Sequence, residues 1–185
     1  MQMISRKIPA LKLPSQVDIA AVYAIIVLMI YSWTILWFLW KLPSWMYFMQ
    51  AHELLFILST SIATNFAESL LVLFGIIFLA VIAPPKWFAD KFIVRGPGLV
   101  ILSLGYLMFL AFQFQEEAYP KFLVLFSPIF FIFSFILIYF LPKIRLIARA
   151  IEFIARQSVI FLYIYIPLSI ISVLIWLFLF FPRSI

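Results

Sequence analysis

Apolar residues in this chain come in long runs, with polar residues gathered in short clusters between them. The runs show neither the two-residue alternation of a half-buried strand nor the narrow apolar stripe of a soluble helix. Their lengths are those of helices that cross a bilayer. Five spans are predicted, over residues 17–40, 54–83, 99–114, 122–141 and 159–181. Between the last two, residues 143–157 follow another pattern. Ile144, Ile147, Ile151 and Ile154 recur at steps of three and four, and Arg145, Arg149, Glu152 and Arg156 take another side. That spacing predicts a juxtamembrane amphipathic helix, with Glu152 placed to pair with Arg149 and Arg156.

Punctuation between the runs sets the expected boundaries. Trp33, Trp37 and Trp40 crowd the far end of the first run, where an interfacial aromatic belt belongs. Lys41, Pro43 and the following residues to Glu53 read as a short connection, part of it able to lie flat on the membrane. As one helix, the second run would be ~45 Å long against a hydrocarbon core of ~30 Å, so it tilts or its first two turns protrude. Pro84 and Pro85 end it, and Gly96, Pro97 and Gly98 read as breakers before a short third span. Spans three and four form an antiparallel hairpin across Gln113, Gln115, Glu116, Glu117 and Pro120. Pro128 and Pro167 fall inside spans, with Ser127, Ser134, Ser169 and Ser172 available to cover the carbonyls they release.

Composition agrees with the pattern. Of 185 residues, 68% are hydrophobic and 11% charged, too few polar groups to clothe a soluble domain. The fold class expected is all-α, a polytopic integral membrane protein forming one membrane domain over residues 1–185. Its 23 phenylalanines are read as bulk filling against lipid and neighbouring helices. With no cysteine, disulfides, thiolate nucleophiles, iron–sulfur clusters and cysteine-held metals drop out. A single histidine, His52, cannot build a bis-histidine haem or a His-rich metal centre, so no cofactor is expected. No small-residue cleavage site follows the first run, which is read as a retained span rather than a signal peptide.

Charge gives the run order an orientation. Arg6, Lys7 and Lys12 precede the first span; Lys86, Lys91 and Arg95 outweigh Asp90 between spans two and three; Lys143, Arg145, Arg149 and Arg156 outweigh Glu152 between spans four and five. The alternate connections are neutral or acidic: Lys41 against Glu53, and Lys121 against Glu116 and Glu117. The positive-inside rule then puts the N-terminus in the cytoplasm of a cell-membrane protein and the C-terminus outside, with Arg183 mildly against. The formal net charge of +6 sits beside spans, which suits anionic lipid at the cytoplasmic face, through Arg145, Arg149 and Arg156, and not nucleic acid.

One cluster interrupts the oil. Ser61, Thr64, Asn65 and Glu68 fall inside the second run, with Ser61, Asn65 and Glu68 on roughly one face. A carboxyl group near the membrane centre is costly unless it is paired, protonated or wet, so it should face protein or a cavity. It could bond to another helix or subunit, bind a proton or cation, serve in catalysis, or merely meet water at a span end. No lysine or arginine lies inside another span to neutralise it, leaving Tyr23, Tyr31, Tyr106, Tyr163 and Tyr165 as partners within the chain. Ser59, Ala63 and Ala67 form a small-residue ridge on the same run. His52 and Glu53 read as interface residues.

No glycine-rich phosphate cradle, Ser–His–acid set or HExxH pattern is present. An odd span number hides any two-fold internal repeat, and the low polarity of the other four spans argues against a self-contained water path. The expected role is a non-catalytic structural or accessory subunit of a membrane complex, with other membrane subunits as partners. The alternatives are a small transporter or channel subunit using Glu68, and a membrane-embedded enzyme acting on lipid-linked substrates.

Overall fold

The computed structural model describes residues 14–114 and 120–180. The chain is an all-α polytopic membrane protein with five helices long and apolar enough to span a bilayer. They are α1 Gln16–Trp45, α2 Ala51–Ile82, α3 Phe92–Gln113, α4 Lys121–Phe140 and α5 Arg145–Phe180. Short 3₁₀ turns at Ala89–Lys91 and Leu141–Lys143 lead into α3 and out of α4. Arg6, Lys7, Lys12, Gln115, Glu116, Glu117, Arg183 and the last residue of the predicted fifth span lie outside the described residues.

Helix starts follow local chemistry. Ser15 caps α1, its hydroxyl accepting from the Asp18 amide and donating to the Asp18 carboxylate. Glu53 reaches back to the Gln50 amide at 2.8 Å and closes the capping box of α2. That gives Glu53 a structural job, while its neighbour His52 is exposed.

Helix α1 is the hub, packing against α2, α3 and α5. It carries a dense buried stripe: Ala21, Val22, Ala24, Ile25, Ile26, Val27, Ile30 and Tyr31. Helices α1 and α5 run parallel. Arg156 approaches Asp18 at one end (3.9 Å) and Ser169 meets the Tyr31 hydroxyl farther in, the same sequence offset at both levels. Tyr165 lies against the Tyr31 ring at 4.8 Å. Helix α4 touches mainly α3 and the turn at 141–143, and most of its side chains face lipid. Tyr106 stacks on Phe130 at 4.0 Å in this hairpin. Replacing Tyr31 by phenylalanine should cost about 1 kcal/mol, because the ring contact survives and only the buried bond to Ser169 is lost. Unfolding in detergent measures it, and an unchanged midpoint would deny that bond any part in holding α1 to α5.

Four boundaries differ from the sequence expectation. The first helix does not end at 40 but runs on to Trp45, taking Lys41 and Pro43 out of the connection and into its last turns. The third helix begins at Phe92, not 99, so Gly96, Pro97 and Gly98 are buried inside it. A Cβ built on Gly96 would stand 2.8 Å from Cγ2 of Val22, and one on Gly98 equally close to Cδ2 of Leu141. These glycines let α3 approach α1 and the 141–143 turn, and the packing outweighs their poor helix propensity. The stretch 143–157 and the fifth span join in one helix of 36 residues, ~54 Å long, since no glycine or proline separates them. Likewise α2 starts at Ala51 and runs unbroken for 32 residues, with LLFILSTS part of the span. Ser127 and Ser169 donate to the carbonyls of Leu123 and Tyr165, one turn back from themselves. Those are not the carbonyls of Val124 and Tyr163, which face Pro128 and Pro167.

Candidate functional site: a polar cleft on the second helix

The polar face of α2 opens onto a cleft of about 470 Å³ lined by Thr34 of α1 and by Phe56, Ile57, Thr60, Ser61, Thr64, Asn65 and Glu68. All four predicted residues, Ser61, Thr64, Asn65 and Glu68, are brought together there. Two further clefts adjoin it. One, of about 330 Å³, runs along Trp33, Trp37, Lys41 and Trp45 and shares Thr34, Ile57 and Ser61 with it. The other, of about 370 Å³, shares Thr34 and Glu68 and is otherwise apolar, walled by Leu71 and Val72 of α2 and by Leu104, Leu107, Met108 and Ala111 of α3. Together they form a trough over α1, flanked by α2 and α3.

Asn65 anchors the polar end. Its side chain is 5% exposed, and its Oδ1 accepts from the Thr34 hydroxyl at 3.1 Å. Its Nδ2 is buried and has no hydrogen-bond partner among the described residues. Exchanging the amide oxygen and nitrogen would only move the deficit to the other atom, because Thr34 can satisfy one of them. A buried amide left half-satisfied is destabilising.

The Thr34–Asn65 bond also fixes the depth of Glu68. Lys41 lies about two turns beyond Thr34 on α1, and Glu68 about one turn the other way on antiparallel α2. The two are therefore ~15 Å apart along the membrane normal, which places Glu68 near the middle of a ~30 Å core when Lys41 marks its edge.

Hydroxyl groups on α2 have their protons committed. Thr60, Ser61 and Thr64 donate to the carbonyls of Phe56, Ile57 and Thr60 at 2.8, 2.9 and 3.0 Å. With the Thr34 proton held by Asn65, four hydroxyls present only oxygen lone pairs for further bonding. Glu68 stands at the inner end of this acceptor ladder. It is exposed on the outer surface of the bundle and has no hydrogen bond or ion pair among the described residues.

None of the five tyrosines named as internal partners reaches Glu68. Tyr23 lies 3.3 Å from the Ser69 hydroxyl, Tyr31 bonds Ser169, Tyr106 pairs with Ser127, Tyr165 stacks on Tyr31, and Tyr163 is exposed. The inward stripe of α2 is Ser59, Ile62, Asn65, Ser69, Ile76 and Ala80, so Ala63 and Ala67 of the small-residue ridge are not its close-packing face. Thr34 is the member of the polar system that sequence reasoning passed over. Thr34, the one threonine of α1 and set among tryptophans, was the available signal.

The basic groups gather at the opposite end of the bundle. Arg95 belongs to α3 rather than to the preceding connection. It is 6% exposed, with its guanidinium over the Tyr139 ring and Nη1 donating to the Lys86 carbonyl at 2.8 Å. Lys143 approaches the same ring, and Trp87 packs against it at 5.3 Å. The connections after α2 and after α4 therefore share one end of the bundle. On α5, Arg145, Arg149 and Arg156 are all exposed. Arg156 is tied to Glu152 at 3.0 Å, and no such pair joins Arg149 to Glu152 among the described residues.

No family model, curated protein or solved structure matches the chain.

Proposed function

We propose that this protein is a non-catalytic structural or accessory subunit of a membrane complex, seated against its partner along the trough over α1. The observation that carries the reading is Glu68: a carboxyl group at mid-membrane depth, on the outer surface, with no partner among the described residues. Lipid tails cannot solvate it. A covering protein can, and it would also close the half-satisfied Asn65 amide.

The same reading orients the molecule in a cell membrane with its N-terminus cytoplasmic. The end holding Lys86, Arg95 and Lys143 then faces the cytoplasm, and Arg145 and Arg149 sit among anionic headgroups. Purification from the native membrane in mild detergent should bring down at least one different chain in stoichiometric amount. A clean monomer that moves an ion or small solute in proteoliposomes would overturn the reading in favour of a transporter. That second reading draws on the acceptor ladder, which leads from the Trp45 end of the trough down to Glu68. Under it, Glu68→Gln should stop transport while leaving assembly intact.

A further inference from the structure

The trough is specific about what should fill it. We infer that its occupant is a transmembrane helix of a different chain carrying a lysine or arginine that pairs with Glu68; this rests on the accessory-subunit reading above. Three features of the cleft lead there. The first is its polarity. The hydroxyls of Thr34, Thr60, Ser61 and Thr64 have spent their protons on the chain's own acceptors, and Glu68 adds a carboxyl group, so the polar atoms that the wall presents are chiefly acceptors. A donor-rich cation complements such a wall, whereas a second acceptor-rich surface does not. The second is the Asn65 amide, part of the same wall and half-satisfied among the described residues, which a polar group beside the cation would complete.

Depth is the third feature, and it excludes a second copy of this chain as the source of the cation. Two copies related by an axis along the membrane normal keep every residue at its own level. Among the cations of the described helices, Lys41, Arg95, Lys121, Arg145 and Arg149 lie near helix ends, and Arg156, farther into α5, is level with Asp18 in the first turn of α1. None stands at the level of Glu68, so a copy would bring only another Glu68. The open side of the trough argues for a helix over a small ion. Thr64, Glu68 and Leu71 are exposed, and among the described residues no helix walls that side. An ion held there would keep hydrocarbon on one flank, whereas a spanning helix supplies both cation and wall.

The test uses the full chain in its native membrane, with a photoreactive phenylalanine analogue replacing Leu71, which lines the trough one turn from Glu68 and takes no part in the pairing. The expected product is a cross-link to a spanning segment of a different chain that holds a lysine or arginine inside its apolar run. Adding Glu68→Gln keeps size and hydrogen-bonding capacity but removes charge, and should lower cross-link yield roughly tenfold, as neutralising half of a buried pair does. Adding Glu68→Asp, which keeps the charge, should restore part of the yield. Each Glu68 variant is first shown to elute and melt like the parent, so that loss of contact is not loss of fold. Cross-links to a second copy, to lipid alone, or to a partner helix without a cation would each overturn the inference. So would unchanged yield with Glu68→Gln, although that result leaves the accessory reading standing. Only the absence of any copurifying chain removes the accessory reading itself.

Discussion

Gly96→Ala is expected to cost about 1–3 kcal/mol of stability, the range for forcing a methyl group into a filled interior. The added Cβ would meet Val22 Cγ2 at 2.8 Å and Cγ1 at 3.5 Å. Val22 is fully buried near the start of the α1 stripe, and its branched side chain has little rotational choice on a helix. The strain therefore passes to the backbones of α1 and α3. A leucine at the same position should prevent the two helices from packing at all, and the protein should not survive extraction as a folded species. Position 98 provides an internal comparison. A Cβ there meets Ile138 Cγ1 at an ordinary 3.9 Å and is crowded by the terminal Cδ2 of Leu141 alone, a flexible and partly exposed side chain that can swing aside. Gly98→Ala should thus cost clearly less. Removing the obstacle tests the cause directly: Val22→Ala combined with Gly96→Ala should be less destabilising than the sum of the two single changes. Strict additivity, or no loss from Gly96→Ala, would show that the contact is not what demands glycine.

The second large effect is all-or-none and concerns sidedness. Reporters inserted between residues 86 and 95 and after Leu141 should report one compartment, and a reporter in QEEAYP the other. The first two sites converge on Tyr139, against which Trp87, Arg95 and Lys143 all pack. Two sites that share an aromatic contact cannot lie on opposite faces of a bilayer. Opposite readings from residues 86–95 and Leu141 would break the five-span arrangement outright. A common reading that is external rather than cytoplasmic would keep the fold and reverse its proposed orientation.

Five apolar runs were enough to find five helices, because hydrocarbon leaves a spanning backbone no other way to satisfy its own hydrogen bonds. Their ends were less legible. Gly96-Pro97-Gly98 carries every local mark of a break, and only the approach of Val22 and Leu141 explains why the helix runs through it. Such a contact between distant parts of the chain leaves no trace in a local window. The polar cluster on α2 was found by contrast with its surroundings, and the structure does gather Ser61, Thr64, Asn65 and Glu68 at one cleft. What contrast could not supply was direction: Asn65 turns inward to Thr34 while Glu68, less than one turn away, looks outward. The Trp33–Trp37–Trp40 series was legible as a belt, and its rings do touch in sequence along α1, Trp33 edge-on to Trp37 and Trp37 stacked on Trp40, with Lys41 over Trp37. Its role as one wall of the trough was not.

The pairing of α1 with α5 has a consequence for how the protein is made. Tyr31 and Ser169 are separated by 138 positions, and Asp18 and Arg156 repeat that separation. Contacts so distant in sequence are the last available to a chain growing from its N-terminus. While α2, α3 and α4 enter the bilayer, α1 therefore waits with the Tyr31 hydroxyl and the face reserved for Tyr165 and Ser169 uncovered. A ribosome halted before Arg145 leaves a four-helix nascent chain that is fully hydrophobic yet missing one side of its own hub. Such an intermediate needs shelter in the insertion machinery until α5 arrives. Arrest at that point should yield a chain that is integrated into the membrane and still rapidly degraded.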